Sequence, residues 1–211
     1  MKTTELISLI AADAPSVRPL GPAVSSAVAV GICVSLLLML STIGLRDDIA
    51  TAIETARVAF KIGMTLLLAA LSTVLVFRVG RPGASLGAQL SALLLPLVLL
   101  AGAVGAELYV SPASTWGRKL VGENAAFCLF FIPVLSAAPL IALMTALRRG
   151  APDNPTFAGA VAGLASGSIA AAIYAWHCPD DSPLFGATWY MLAIGMVILT
   201  GAFLGRRLLR W

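Results

Sequence analysis

The sequence is short of charge. Asp, Glu, Lys and Arg make up 11% of its 211 residues, less than half of the ~25% usual in a soluble domain. So few charges cannot cover a water-exposed surface, which excludes a water-soluble enzyme. There is one histidine, His177, so a single chain cannot ligate a bis-histidine haem. The sequence has no phosphate loop ending in Gly-Lys-Ser or Gly-Lys-Thr, no HExxH and no CxxC, which removes several common catalytic signatures, and no motif calls for a cofactor. The deep parts of its apolar runs carry essentially no ionisable residue, whereas transporters and proton pumps keep coupling groups there. Disorder is excluded by the opposite excess, since 59% of the residues are of the AVILMFWYC class and such a chain collapses or enters a bilayer.

What is present is a series of long apolar runs, with a mean hydropathy of +0.96. Six of them, at about 22–45, 58–77, 86–110, 124–147, 156–176 and 186–205, reach the ~20 residues needed to cross ~30 Å of hydrocarbon. None shows the ten-residue alternation of barrel strands. The expected fold is therefore all-α, a polytopic membrane protein of six transmembrane helices. Its expected parts are a cytoplasmic segment, 1–21, and a six-helix domain, 22–211. Six spans put both termini on one side. That side holds nine basic residues, Lys2, Arg18, Arg78, Arg81, Arg148, Arg149, Arg206, Arg207 and Arg210, against five on the other, Arg46, Arg57, Lys61, Arg118 and Lys119. The positive-inside bias makes both termini cytoplasmic. With Glu5 and Asp13 in a long polar stretch, the N-terminus is not expected to be a secretory signal.

Residues 3–13 read as a short helix, with Thr3 or Thr4 as its cap and Glu5 at the positive end of its dipole. Leu6, Leu9 and Ile10 share one apolar edge, and Pro15, Pro19 and Pro22 end the helix. Such an edge can rest on lipid or bind a protein; its polar face lacks the Lys and Arg usual in a lipid anchor. Pro96, Pro133 and Pro139 are expected to kink their spans. Gly159, Gly163 and Gly167, a glycine every fourth residue, place the fifth span at the centre of the bundle or at a dimer contact. Lys61 and Glu107 are near enough to the outer interface to snorkel.

Three cysteines remain. Cys33, near the middle of the first span, reads as a small apolar packer. Cys128 lies about one turn into the fourth span and Cys178 just past the fifth, so the topology brings both to the same outer surface. Two thiols at matched depth in an oxidising compartment can form a disulfide or share a soft metal ion. His177, Asp180, Asp181 and Glu123 could add ligands or tune the thiols, and a purely structural disulfide is the plainer alternative.

The stretch Tyr174-Ala175-Trp176-His177-Cys178-Pro179-Asp180-Asp181-Ser182-Pro183, followed by Trp189-Tyr190, resembles the NrsF family of bacterial membrane anti-sigma factors. So do Arg148-Arg149-Gly150-Ala151-Pro152 with Pro155, the glycine ladder and the terminal Gly205-Arg206-Arg207-Leu208-Leu209-Arg210-Trp211. The resemblance implies a six-span inner-membrane protein that holds an extracytoplasmic-function sigma factor inactive and responds to heavy-metal or oxidative stress. It also implies a cysteine pair at Cys128 and Cys178, with Cys33 outside the family pattern. The expected function is thus sigma-factor sequestration, not enzymatic, with Cys128, Cys178 and His177 as sensing residues and Leu6, Leu9 and Ile10 as the partner edge. The expected partners are that sigma factor, the lipid bilayer and a second copy of the chain, with no direct contact to nucleic acid. A small-solute or metal-ion exporter using the Pro-kinked spans, and a scaffold subunit of a larger membrane complex, are the alternatives.

Overall fold

In hydrocarbon every backbone N–H and C=O needs an internal partner, so long apolar runs fold as helices. The computed structural model describes residues 3–5, 7–8 and 19–210, and there is no strand among them. Its long helices are α1 (Leu20–Thr42), α2 (Ala56–Val79), α3 (Leu94–Val110), α4 (Ala125–Leu147), α5 (Pro155–Tyr174) and α6 (Met191–Leu208). Counted with the short turns that extend α3, α4 and α6, all six are long and apolar enough to cross a membrane. The expected partner edge, Leu6, Leu9 and Ile10, lies outside the described residues.

Local chemistry sets several helix ends. Thr55 caps α2, its side chain accepting from the Val58 N–H, and Asn154 caps α5 by accepting from the Phe157 N–H at 3.0 Å, with Pro155 supplying a first helical residue that needs no amide hydrogen. Pro139 removes the amide that would bond the Leu135 carbonyl. Ser35 of α1 fills that vacancy, donating to the Leu135 oxygen at 2.6 Å. A Cβ on Gly31 would come within 2.5 Å of the Pro139 Cα, so this proline is a packing point between α1 and α4.

The most buried span is α5, packed against α2, α4 and α6, and the least buried is the third. The glycine ladder faces inward, onto α6 of the same chain. A Cβ on Gly159 would sit 2.2 Å from the Gly201 oxygen, and one on Gly201 would sit 2.4 Å from the Gly159 oxygen. The two backbones therefore touch, as small residues permit, and the fifth span takes the central position.

One end of the bundle gathers the ends of α1 and α3, the starts of α2 and α4, and the segment between α5 and α6; it is called the cysteine end below. The other carries the start of α1, the end of α2, the 148–154 turn and the end of α6. Here a Cβ on Gly80 would meet Leu20 and Leu147, and one on Gly150 would come within 2.6 Å of the Gly80 oxygen.

The expectation that Lys61 and Glu107 snorkel is overturned. Lys61 is 9% exposed and Glu107 7%, and both side chains turn into the protein to charged partners. An ion pair within reach removes the charge from hydrocarbon more completely than stretching to the interface does.

Candidate functional site

The site forms where α5 ends. The last turn runs on past Tyr174: the N–H groups of His177 and Cys178 both donate to the Tyr174 oxygen, at 3.0 and 3.1 Å. That bend turns Cys178 back over the first turn of α4, which carries Cys128. Both cysteines are fully buried, at 0% exposure, and both are free thiols. The two side chains belong to one buried cluster, near enough for Cys128 to bear on the ionisation of Cys178. Two tyrosines close the chamber around them. Tyr174 and Tyr190 pack in the same buried cluster as Cys128 and Cys178, with ring centroids 6.1 Å apart, and neither buried hydroxyl has a hydrogen-bond partner.

The loop that carries Cys178 is fastened on two sides. Toward α2, Lys61 Nζ donates to the Cys178 carbonyl at 2.6 Å, the Asp180 carbonyl at 3.3 Å and Asp181 Oδ1 at 2.5 Å. Arg46 adds a second cation on Asp181, at 2.9 Å, and also pairs with Asp48. Toward α4, the Asp180 carboxylate accepts from the N–H groups of Glu123 (3.2 Å) and Asn124 (2.9 Å) and from Asn124 Nδ2 (3.1 Å). Gly122 makes this approach possible. Its φ is +58°, and a Cβ there would lie 2.5 Å from the Phe185 ring and 2.7 Å from Asp180 Oδ1, so no other residue fits.

This surrounding acts on the thiol. The hydrogen bond from Cys128 holds the Cys178 thiol below its ordinary pKa, with the Lys61 ammonium and an Asp180 backbone bond helping and burial opposing. Cys178 is thus the sulfur predisposed to ionise, and the thiolate is the reactive form. At the rim, the Arg46 hydrogen bond holds the Asp48 carboxyl below its usual range. A second charged cluster lies against the neighbouring span: Glu107 accepts from Arg57 at 2.9 Å, from Ser111 at 3.2 Å and from Lys119, joining α2, α3 and the 116–121 helix.

Of the expected sensing residues, Cys128 and Cys178 come together. His177 sits beside them without a hydrogen bond to either sulfur; its Nδ1 lies 3.1 Å from the Gly44 oxygen, and it holds the turn after α1. No group of three or more His, Cys, Asp and Glu side chains among the described residues is arranged to hold a metal ion, so a metal here would have the two sulfurs as its protein ligands. Cys33 stands apart and exposed on α1. The roles of Tyr174, Tyr190, Lys61 and Arg46 were not read from the sequence. Tyr174 had a signal, since it precedes Cys178 by four residues, one helical turn. Lys61 had another, a cation inside an apolar run with two carboxylates expected at the same surface.

The thiol pair and its loop lie within the residues matched by the NrsF family profile, described as negative regulator of sigma F, which spans 10–211. The chain belongs to the NrsF family. It is 32% identical over 213 residues to the probable anti-sigma-F factor NrsF of Azospira oryzae and 36% identical over 217 residues to the anti-sigma-F factor NrsF of Caulobacter vibrioides, in each case over 100% of both chains. No solved structure matches. The NrsF family is, by that description, one of regulators.

Proposed function

We propose that this chain is an anti-sigma factor of the bacterial inner membrane, with both termini in the cytoplasm. It sequesters a sigma-F-type, extracytoplasmic-function sigma factor and releases it when metal or oxidative stress modifies the Cys128–Cys178 pair from the periplasmic side. The observation that carries this reading is the pair itself: two adjacent, buried, unbonded thiols whose loop is clasped by Lys61 on α2 and by the start of α4. The names of the relatives supply the partner.

A packed thiol pair suits a switch. Disulfide closure brings the sulfurs to about 2.05 Å, well inside their non-bonded separation, and a group added to either fully buried sulfur must displace the side chains packed around it. Either event must move the loop. Moving a two-state equilibrium from 1:99 to 99:1 takes about 5.5 kcal/mol, a scale that thiolate–metal bonding or disulfide formation can reach. The route across the membrane is short. The α4 and α5 helices carry the two cysteines at one end and meet at the 148–154 turn at the other, where Gly150 packs on the end of α2. The Leu6, Leu9 and Ile10 edge is the proposed docking element for the sigma factor. Co-purification tests the reading: the chain in mild detergent should carry a sigma factor, identified by mass spectrometry, and Leu6→Asp or Leu9→Asp should lose it while the protein stays in the membrane. A chain that brings down only membrane-embedded subunits would support the scaffold reading instead.

A further inference from the structure

With both sulfurs at 0% exposure, a reagent needs a route to them. Two concavities flank the 178–182 loop. One is an open groove at the cysteine end, lined by Arg118, Lys119, Glu123, Asp180 and Asp181. From there the sulfurs lie behind loop backbone that is fastened to Lys61 and to α4. The other is a cavity of about 40 Å³ between α2, α3 and the start of the last span, with Phe60, Lys61, Met64, Ser182, Gly186 and Tyr190 in its wall. It extends to Leu100, ten residues before the end of α3 and so about 15 Å below it at 1.5 Å per residue, about halfway through the hydrocarbon.

Three observations make this cavity more than a packing gap. The Ser182 and Tyr190 hydroxyls both belong to lining residues, and both are buried without hydrogen-bond partners. The volume holds about one or two waters. Tyr190 is also the partition, because it lines the cavity and packs in the same buried cluster as Cys178. Finally, residues 186–190 form a π-helical turn, a wider turn that often marks functional sites, and a Cβ on Gly186 would meet nothing within 4 Å.

We infer that this cavity is the port through which small, uncharged thiol-modifying compounds reach Cys178, with Tyr190 swinging aside to admit them. The wall is mostly apolar and lies at membrane depth, so a charged reagent must shed its hydration to enter, and the charged groups at the wall, Arg57, Lys61 and Asp181, are already engaged in ion pairs. The biological use of the port rests on the thiol-switch reading, but the route itself is measurable with no sigma factor present.

The probe is methyl methanethiosulfonate, applied to the full chain carrying Cys33→Ser in membrane vesicles. The Cys178 thiolate attacks the sulfenyl sulfur, an S–S bond forms, methanesulfinate leaves and the thiol proton goes to solvent. Loss of the free Cys178 thiol, followed by mass spectrometry, counts the reaction whether the mixed disulfide persists or Cys128 displaces methanethiol from it. Gly186→Leu, which grows a side chain into the open space, should slow the reaction about tenfold or more, and Met64→Ala should speed it about threefold. Arg118→Trp, which crowds the groove instead, should leave the rate unchanged. The trimethylammonioethyl analogue, normalised to its rate with a free thiol, should react about tenfold more slowly than the neutral reagent. Wild-type rates in Gly186→Leu and Met64→Ala, slowing by Arg118→Trp, or equal normalised rates for the two reagents would overturn the port. Should Gly186→Leu not be recovered in the membrane, the Met64→Ala rate decides. A normal stress response in Cys178→Ser cells would remove the thiol-switch reading while leaving these rates as they are.

Discussion

Asp181→Asn tests whether the clasp on the Cys178 loop holds the resting state. In the wild-type chain Asp181 accepts from Lys61 at 2.5 Å and from Arg46 at 2.9 Å, and the two cations are only 8% and 9% exposed. Removing one partner of a buried pair costs about 3–5 kcal/mol. Here the carboxylate itself is 20% exposed, Lys61 keeps the carbonyls of Cys178 and Asp180, and Arg46 keeps Asp48. A cost of about 2–3 kcal/mol is therefore expected, discounted for that residual solvation. It should fall on the loop rather than on the helices, because the six-helix packing does not pass through Asp181. The assay is the rate at which Cys178 reacts with a neutral thiol reagent, read beside the thermal unfolding midpoint in detergent. Cys178 should react about thirty- to a hundred-and-fifty-fold faster, as about 2–3 kcal/mol of lost protection implies, with a small fall in the midpoint. Cells should show partial release of the sigma factor without stress. Unchanged Cys178 reactivity in Asp181→Asn would refute the clasp.

Three further outcomes follow from the geometry. Gly159→Ala puts a methyl group where the Gly201 oxygen lies 2.2 Å away, so α5 and α6 must separate; a loss of about 1–3 kcal/mol or more is expected, seen as a lower unfolding midpoint, and an unchanged midpoint would contradict the backbone contact. Ser35→Ala leaves the Leu135 carbonyl freed by Pro139 without its donor and should cost about 0.5–2 kcal/mol in detergent unfolding, whereas Ser26→Ala, whose hydroxyl bonds its own helix, should be neutral. For the thiol, the Cys128 hydrogen bond is the leading cause of the lowered Cys178 pKa, so Cys128→Ala should move the pH midpoint of Cys178 alkylation upward; a midpoint that stays or falls would show that Lys61 and the backbone suffice.

The six spans were legible because length and apolarity alone decide a membrane helix, and the ends of α4 and α5 fell close to where charge and proline interrupt the runs. The nearness of Cys128 and Cys178 followed from topology, since the fourth and fifth spans share an end. The chamber around them was not legible. Tyr190 reaches Cys178 only because the last span begins with a short helix and a π turn, a bend that apolarity does not encode. Lys61 and Glu107 were misread for a related reason: a charge one turn inside a span satisfies the same pattern whether it stretches to water or pairs inward, and the partners, Asp181 and Arg57, sit on other segments. The glycine ladder announced close packing but not its partner, which the matching Gly201 and Gly205 of α6 provide.

The central claim is that the two cysteines act as one unit in releasing the partner. Its most direct measurement is the amount of sigma factor co-purifying with the chain, in a Cys33→Ser background, before and after treatment with diamide, which takes up two electrons and two protons as the thiols become a disulfide. The account predicts that the pair-intact chain loses its partner as the disulfide appears, while Cys128→Ser and Cys178→Ser both keep it. Retention of the sigma factor by the disulfide form, or diamide-driven release from either single variant, would contradict it.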